Sequence, residues 1–253
     1  VIVNALCDEN FFWDGRATSL EKQALQPIEN PIELHQSLKD AIDKLRATDI
    51  YPEKFKNAFG DEEISPERIA KAISQFERTL ISTNSKFDKF SRGEIQLNDE
   101  EMRGYELMQH PEAGVLRGGN CSDCHKFNNF TDPEGELRNN GVDDVVVDIG
   151  LEAITGNPQD RGKMKIPTLR NIAVSAPYMH DGRFKTLEEV LDHYNGNNIR
   201  HHENVDLLIK VGYNNPIDST LSLSENEKSD IIAFLNTLTD EEFLTNPDFS
   251  DPF

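Results

Sequence analysis

Cys121-Ser122-Asp123-Cys124-His125 sets two thiols three positions apart and an imidazole directly after the second. A bare C-x-x-C pair could hold zinc or run thiol–disulfide chemistry. Zinc, however, needs a second ligand pair at finger spacing, and a redox pair normally sits in a βαβ setting. Neither accompanies these residues. The adjoining His selects a third chemistry: two thiols add across the two vinyl groups of one haem, and the next residue sets an imidazole under the iron. The motif therefore predicts one haem c, attached through Cys121 and Cys124, with His125 as an axial ligand. Attachment of this kind takes place outside the cytoplasm. The protein is thus expected to be periplasmic, with its secretion signal ahead of Val1.

The other axial position has two candidates, Met179 and Tyr194. Met179 adjoins the turn His180-Asp181-Gly182-Arg183, and a thioether ligand would raise the reduction potential. Thr186-Leu187-Glu188-Glu189 reads as a capping box that opens a helix. On that helix Leu187, Val190, Leu191 and Tyr194 share one face, and Asn195-Gly196 ends it. The Tyr194 ring is expected to face the core, where the haem should lie. A buried tyrosine with a satisfied hydroxyl would give the same pattern.

Positioning these residues falls to a mainly helical chain. Leu34, Leu38, Ile42 and Leu45 predict a helix over 33–46. Ser65-Pro66-Glu67-Arg68 opens another over 65–81, with Ile69, Ile73, Phe76 and Leu80 on its apolar face. A third runs over 98–108 from an Asn98 cap. A last one follows the capping box Ser224-Glu225-Asn226-Glu227 and carries Ile231, Ile232, Phe234, Leu235 and Leu238. Only Val145-Val146-Val147 reads as extended. Residues 82–97 are polar, which sets a domain boundary near 95. Residues 110–170, rich in Gly, Pro, Asn and Asp, read as irregular chain wrapped around a ligand.

A repeat organises the whole. Phe12-Trp13-Asp14-Gly15-Arg16 with Leu20-Glu21 matches Met179-His180-Asp181-Gly182-Arg183 with Leu187-Glu188, at an offset of 167 residues from Asp14 to Asp181. Asn4 pairs with Asn171 at the same offset. A period this long indicates a duplicated domain rather than a solenoid. The 253 residues suffice for two modest domains. Acidic residues outnumber basic ones 46 to 26, for a net charge of −20. Nucleic acid is thereby excluded as a partner, since phosphate binding needs a positive surface. The acidic surface keeps the chain solvated and could steer a basic protein. No apolar run reaches the ~18 residues of a membrane helix. Three cysteines make no disulfide framework, and Cys7 is expected to be a small buried apolar residue.

Taken together, Asn10-Phe11-Phe12-Trp13-Asp14-Gly15-Arg16, Gln23, Asn30-Pro31-Ile32-Glu33, the Cys121–His125 motif, Ile166-Pro167-Thr168-Leu169-Arg170-Asn171, Ala176-Pro177-Tyr178-Met179-His180-Asp181-Gly182-Arg183 and Thr186-Leu187-Glu188-Glu189 resemble the bacterial di-haem cytochrome c peroxidase family, including its MauG-type branch. The resemblance implies an all-α fold of two cytochrome c-like domains. Residues 1–95 would be the C-terminal part of the peroxidatic domain, and 96–253 a complete C-terminal haem domain. It also implies a second haem. Carrying Cys121 back by the repeat offset puts that motif about 46 residues before Val1, so the chain reads as a piece of a di-haem enzyme. By the same resemblance Glu33 is the distal acid at the peroxide site, Gln23 a second distal residue, and Trp13 an aromatic relay between the haems. In the peroxidase branch a Met, and in the MauG-type branch a Tyr, stands where Tyr194 does. A calcium ion would be held partly by the backbone carbonyls of Ser175 and Pro177. Arg16 and Arg183 could pair with haem propionates or fix their own turns through Asp14 and Asp181. The implied function is reduction of hydrogen peroxide with electrons from a small cytochrome c or cupredoxin. A mono-haem electron-transfer module and a MauG-type oxidase acting on a protein substrate are the alternatives, and a homodimer is compatible with the pattern.

Overall fold

The structure is a computed structural model that describes residues 3–109, 118–132, 134–196, 199, 203–210 and 221–250, without the side chains of Cys7 and Lys210. The expectation for Cys7 lies outside these. The chain forms two compact units.

One unit holds the residues up to Phe12 and Arg16–Leu80. Its helices are α1 (Leu20–Glu29), α2 (Leu38–Arg46), α3 (Ile50–Phe59) and α4 (Pro66–Thr79). Ser19, Ser37 and Ser65 each cap a helix by accepting a backbone N–H with the side chain. The Ser37 cap explains why α2 begins at Leu38, five residues after the expected start at 33. Glu33 to Gln36 stay outside it, and Leu34 is exposed. Ile42, Phe55, Ile64 and Ile69 form the core, with Ile73 packed against them. Phe76, expected on the same face, is half exposed.

The other unit holds Trp13–Gly15 and the chain from Ile81 onward. It contains α5 (Lys86–Ser91), α6 (Asp99–Met108), α7 (Glu152–Thr155), α8 (Leu187–Asn195), α9 (Leu207–Lys210), α10 (Glu225–Asn236) and α11 (Glu241–Leu244). Residues 81–95, counted above with the first domain, pack here: α5 starts at a Ser85–Asp88 capping box, and Phe87 joins the core. α6 and α10 cross so closely at Gly104 that a Cβ there would lie 1.9 Å from the Asp230 carbonyl oxygen. Met108, Phe130, Leu187, Leu191, Ile231, Phe234 and Leu238 complete the core. The fold is thus rich in helix, with little sheet. Among the described residues the one strand pair is antiparallel, β1 (Leu137–Arg138) with β2 (Met164–Lys165). Val145 and Val147, in the stretch expected to be extended, are exposed and lie outside any strand.

Candidate haem site

The motif cysteines enter the second unit through a left-handed residue, Asn120 (φ 52°), and a single 3₁₀ turn over Cys121–Asp123. The His125 amide closes that turn on the Cys121 carbonyl at 2.8 Å. Both thiols and the His125 ring thereby face one cavity of about 550 Å³. Both cysteines are free thiols. Burial pushes Cys121 up to about 12 and Cys124 to about 11, so neither is a thiolate at neutral pH.

The His125 ring is oriented from behind. Its Nδ1 lies 3.1 Å from the Phe130 carbonyl oxygen and donates to it, which leaves Nε2 as the nitrogen with a lone pair for a metal. Burial lowers the His125 pKa, against the raising effect of the Phe130 and Pro167 carbonyls. A neutral ring is the form a metal ligand needs.

Much of the remaining wall comes from α8, α10 and the irregular chain between β2 and α8. Leu187, Val190, Leu191 and Tyr194 all line the cavity, as the helical spacing predicted for that face. Met179 lines it too. Both candidate axial side chains therefore reach the same space. Burial pushes the Tyr194 hydroxyl up to about 12, with the Asn140 amide acting in the opposite direction. Trp13 is also part of the wall, its carbonyl bonded to the Lys165 amide at 2.7 Å. Ser175 and Pro177 line the cavity and are exposed. Among the described residues no group of three or more His, Cys, Asp and Glu is placed to hold a metal ion.

Three expected residues stand elsewhere. Arg183 turns away from the cavity: its Nε donates to Asp181 at 2.7 Å, and its terminal nitrogens donate to the Val142 carbonyl and to Asp143. It fixes its own turn, the second of the two readings. The guanidinium in the cavity wall is that of Arg138. Glu33 and Gln23 belong to the first unit. Glu33 sits on an exposed turn and accepts from the Asn30 amide at 2.7 Å, while Gln23 is half-buried on α1. Asn140 and Arg138 carried no sequence signal, because Asn140 lies in irregular chain and Arg138 in a strand of two residues, too short to show a period.

These residues fit a covalently held haem. Two thiols stand beside a metal-ready imidazole, and the lining is mainly apolar. Two polar atoms of cavity residues, Asn120 Oδ1 and Arg138 Nε, are buried without a hydrogen-bond partner, which native interiors avoid unless a further group meets them. Arg138 offers an N–H of the kind a propionate takes.

A family model for di-haem cytochrome c peroxidase matches residues 1–96. The chain is 34% identical to the cytochrome c551 peroxidase of Nitrosomonas europaea, over 99% of this chain and 66% of that protein. It is 36% identical to the methylamine utilization protein MauG of Methylorubrum extorquens, over 95% and 64%. Against the cytochrome-c peroxidase IdrP1 of a Pseudomonas species it is 30% identical over 98% and 69%. Among solved structures, a MauG-like protein associated with microbial copper homeostasis superposes with a TM-score of 0.81 at 32% identity, over 99% of this chain and 77% of that one. The chain spans slightly less than two thirds of the length of the first two curated relatives. Motif, cavity and relatives agree that this chain belongs to the di-haem cytochrome c peroxidase family, in its MauG-type branch.

Proposed function

We propose that the protein to which this chain belongs is a periplasmic peroxidase that reduces hydrogen peroxide to two waters, taking up two electrons and two protons. The observation that carries this reading is the single apolar cavity onto which Cys121, Cys124, His125 and Trp13 all open. In this reading the unit ending at Leu80 completes a peroxidatic cytochrome c-like domain, and the unit from Ile81 onward forms the domain that receives electrons from a small cytochrome c or cupredoxin. A haem in each domain would supply the iron chemistry of peroxide cleavage and of electron delivery. The protein side chains do the rest. Cys121 and Cys124 anchor the group and His125 binds its metal. Glu33, steered by the Asn30 amide, moves a proton between the two peroxide oxygens, and Gln23 serves as a second distal residue. Trp13 offers an aromatic step for electrons, and the carbonyls of Ser175 and Pro177 offer oxygen to a calcium ion.

A MauG-type oxidase, which draws electrons from a protein substrate, is the second reading. Tyr194 favours it, because its hydroxyl stands in the cavity next to Met179 and a phenolate ligand favours the ferric state. Rapid-mixing kinetics on the full-length holoprotein separate the two. A peroxidase turns over peroxide with a reduced donor at about 1–1000 per second. Consumption only with a protein substrate, and none with donor, would establish the oxidase. In the peroxidase, Glu33→Gln slows peroxide cleavage by at least about 100-fold and leaves the haem content unchanged. Unchanged kinetics would remove Glu33 from the mechanism.

A further inference from the structure

Residues 138–141, at the end of β1 and just beyond it, are tied down by several hydrogen bonds. Arg138 bonds Asp206 at 2.7 Å, and the Asn139 carbonyl accepts the Asp206 amide at 2.9 Å. The Asn139 side chain bridges the Arg161 carbonyl and the Gly141 amide. His193 Nε2, on a ring that is 2% exposed, donates to the Asn140 carbonyl at 3.0 Å. This fixes the backbone of Asn140 against α8 one residue before Tyr194. The Asn140 side chain lines the cavity. There its Nδ2 lies 3.3 Å from the Tyr194 hydroxyl oxygen and 3.2 Å from the Met179 sulfur.

An amide nitrogen carries two N–H donors, so both contacts can be made at once. Oxygen is the stronger acceptor, and thioether sulfur a weak one. The two side chains that compete for the iron are therefore held by one group that distinguishes them. From this geometry we propose that Asn140 is a positioning residue for axial ligation: it holds the Tyr194 oxygen in place by donating to it, and tethers the Met179 sulfur away from the metal. The inference rests on the reading of Tyr194 as the ligand. Ligation costs the phenol its proton, which leaves to solvent. The Asn140 bond survives that loss, because the oxygen accepts it. Such a donor withdraws electron density from a ligand oxygen and so moderates its preference for ferric iron.

The test uses the haem-loaded protein with Asn140→Leu, close to Asn in shape and without donors, and with Tyr194→Phe, singly and together. Optical and near-infrared spectra and the midpoint potential of the His125 haem are measured in each. Asn140→Leu is expected to shift the ferric spectrum and move the potential negative, by about a tenfold change in ferric preference, or ~59 mV for one electron. In the Tyr194→Phe background the negative shift is expected to vanish, and release of the Met179 sulfur to move the potential positive instead. A shift of equal size in both backgrounds would show that the amide acts on something else. If Asn140→Leu is silent while Tyr194→Phe alters ligation, the Asn140 role falls and the tyrosine reading stands. If Tyr194→Phe is itself silent, the tyrosine reading falls and takes this inference with it. Should Asn140→Leu fail to take up haem, Asn140→Asp, which keeps the shape and has no N–H to give, reads the same two quantities.

Discussion

At the scale of single residues, the haem motif was legible because covalent attachment forces its ligands to be neighbours in sequence. Three groups within five residues leave few other chemistries. The remainder of the cavity is assembled by folding. Asn140 meets Met179 and Tyr194 across 39 and 54 residues, and nothing local marks it. Arg183 shows the reverse failure. Its type suited a propionate, but Asp143 and the Val142 carbonyl, some forty positions away, had already claimed it. Intact mass after expression with haem-maturation machinery tests the motif directly: the chain gains one haem. Cys121→Ser and Cys124→Ser each keep it through a single thioether, and the double variant retains none after acid extraction. Two haems in this chain, or none with both thiols free, would contradict the assignment.

At the scale of elements, caps were the most readable signals. Ser65, Asn98, Thr186 and Ser224 each start a helix where the sequence placed them. Apolar spacing alone misled, since Leu34 fits the period of α2 yet lies beyond its Ser37 cap. The α6–α10 crossing could not be read at all, because glycine in a helix looks like a weakness until its neighbour is seen. Gly104→Ala should lower stability by about 1–3 kcal/mol, since the steric clash outweighs the gain of up to ~1 kcal/mol in helix propensity. Thermal unfolding of the haem-loaded protein measures it, and a stabilised variant would refute the crossing. α5 is tied to the chain before α8 by a buried pair, Arg170 with Asp88, at 2.9 and 3.0 Å. Burial pushes Asp88 up, but Arg170 and Ser85 more than offset this and hold its carboxyl below the usual range. The pair therefore stabilises the fold above the ordinary carboxylate pKa, and its contribution is lost as pH falls through the lower folded value. Asp88→Asn should cost about 3–5 kcal/mol at pH 7, because it leaves a buried guanidinium without its counter-charge. The variant should also lose stability less steeply below about pH 4 than the parent. Parallel acid-unfolding curves would count against this account.

For the molecule as a whole, the duplication inferred from short motifs extends into the backbone. Asn4 and Asn171 are left-handed at φ 56° and 59°, as are Phe12 and Met179 at 65° and 71°, and Gly15 and Gly182 at 74° and 70°. The bridge Phe11–Ala17 recurs as Tyr178–Phe184, and the 3₁₀ turn Ala5–Cys7 as Ile172–Val174. Left-handed backbone is uncommon outside glycine, so the two matched non-glycine pairs reflect shared descent of the turn rather than chance. Sequence identity revealed the Asp-Gly-Arg at its centre, the Leu-Glu pair after it and the Asn4–Asn171 match, while most flanking side chains differ because they serve different neighbours. The net charge of −20 also acts at this scale. Encounter with a basic electron donor should slow as ionic strength rises from 10 to 150 mM and the screening length falls from ~30 to ~8 Å. Stopped-flow reduction rates with basic and acidic donors compare the two cases directly, and a basic donor indifferent to salt would show that the acidic surface serves solubility alone.

Trp13 is the chain's one tryptophan, and it stands in the cavity wall. A haem bound there would absorb the indole's emission by energy transfer, so these 253 residues in haem-loaded form should be nearly dark to tryptophan fluorescence. Any brightening would report departure of the Trp13–Gly15 turn alone. Followed alongside the Soret band, it would reveal whether this turn detaches before the haem environment itself is lost, giving the protein an internal optical gauge of its own partial opening.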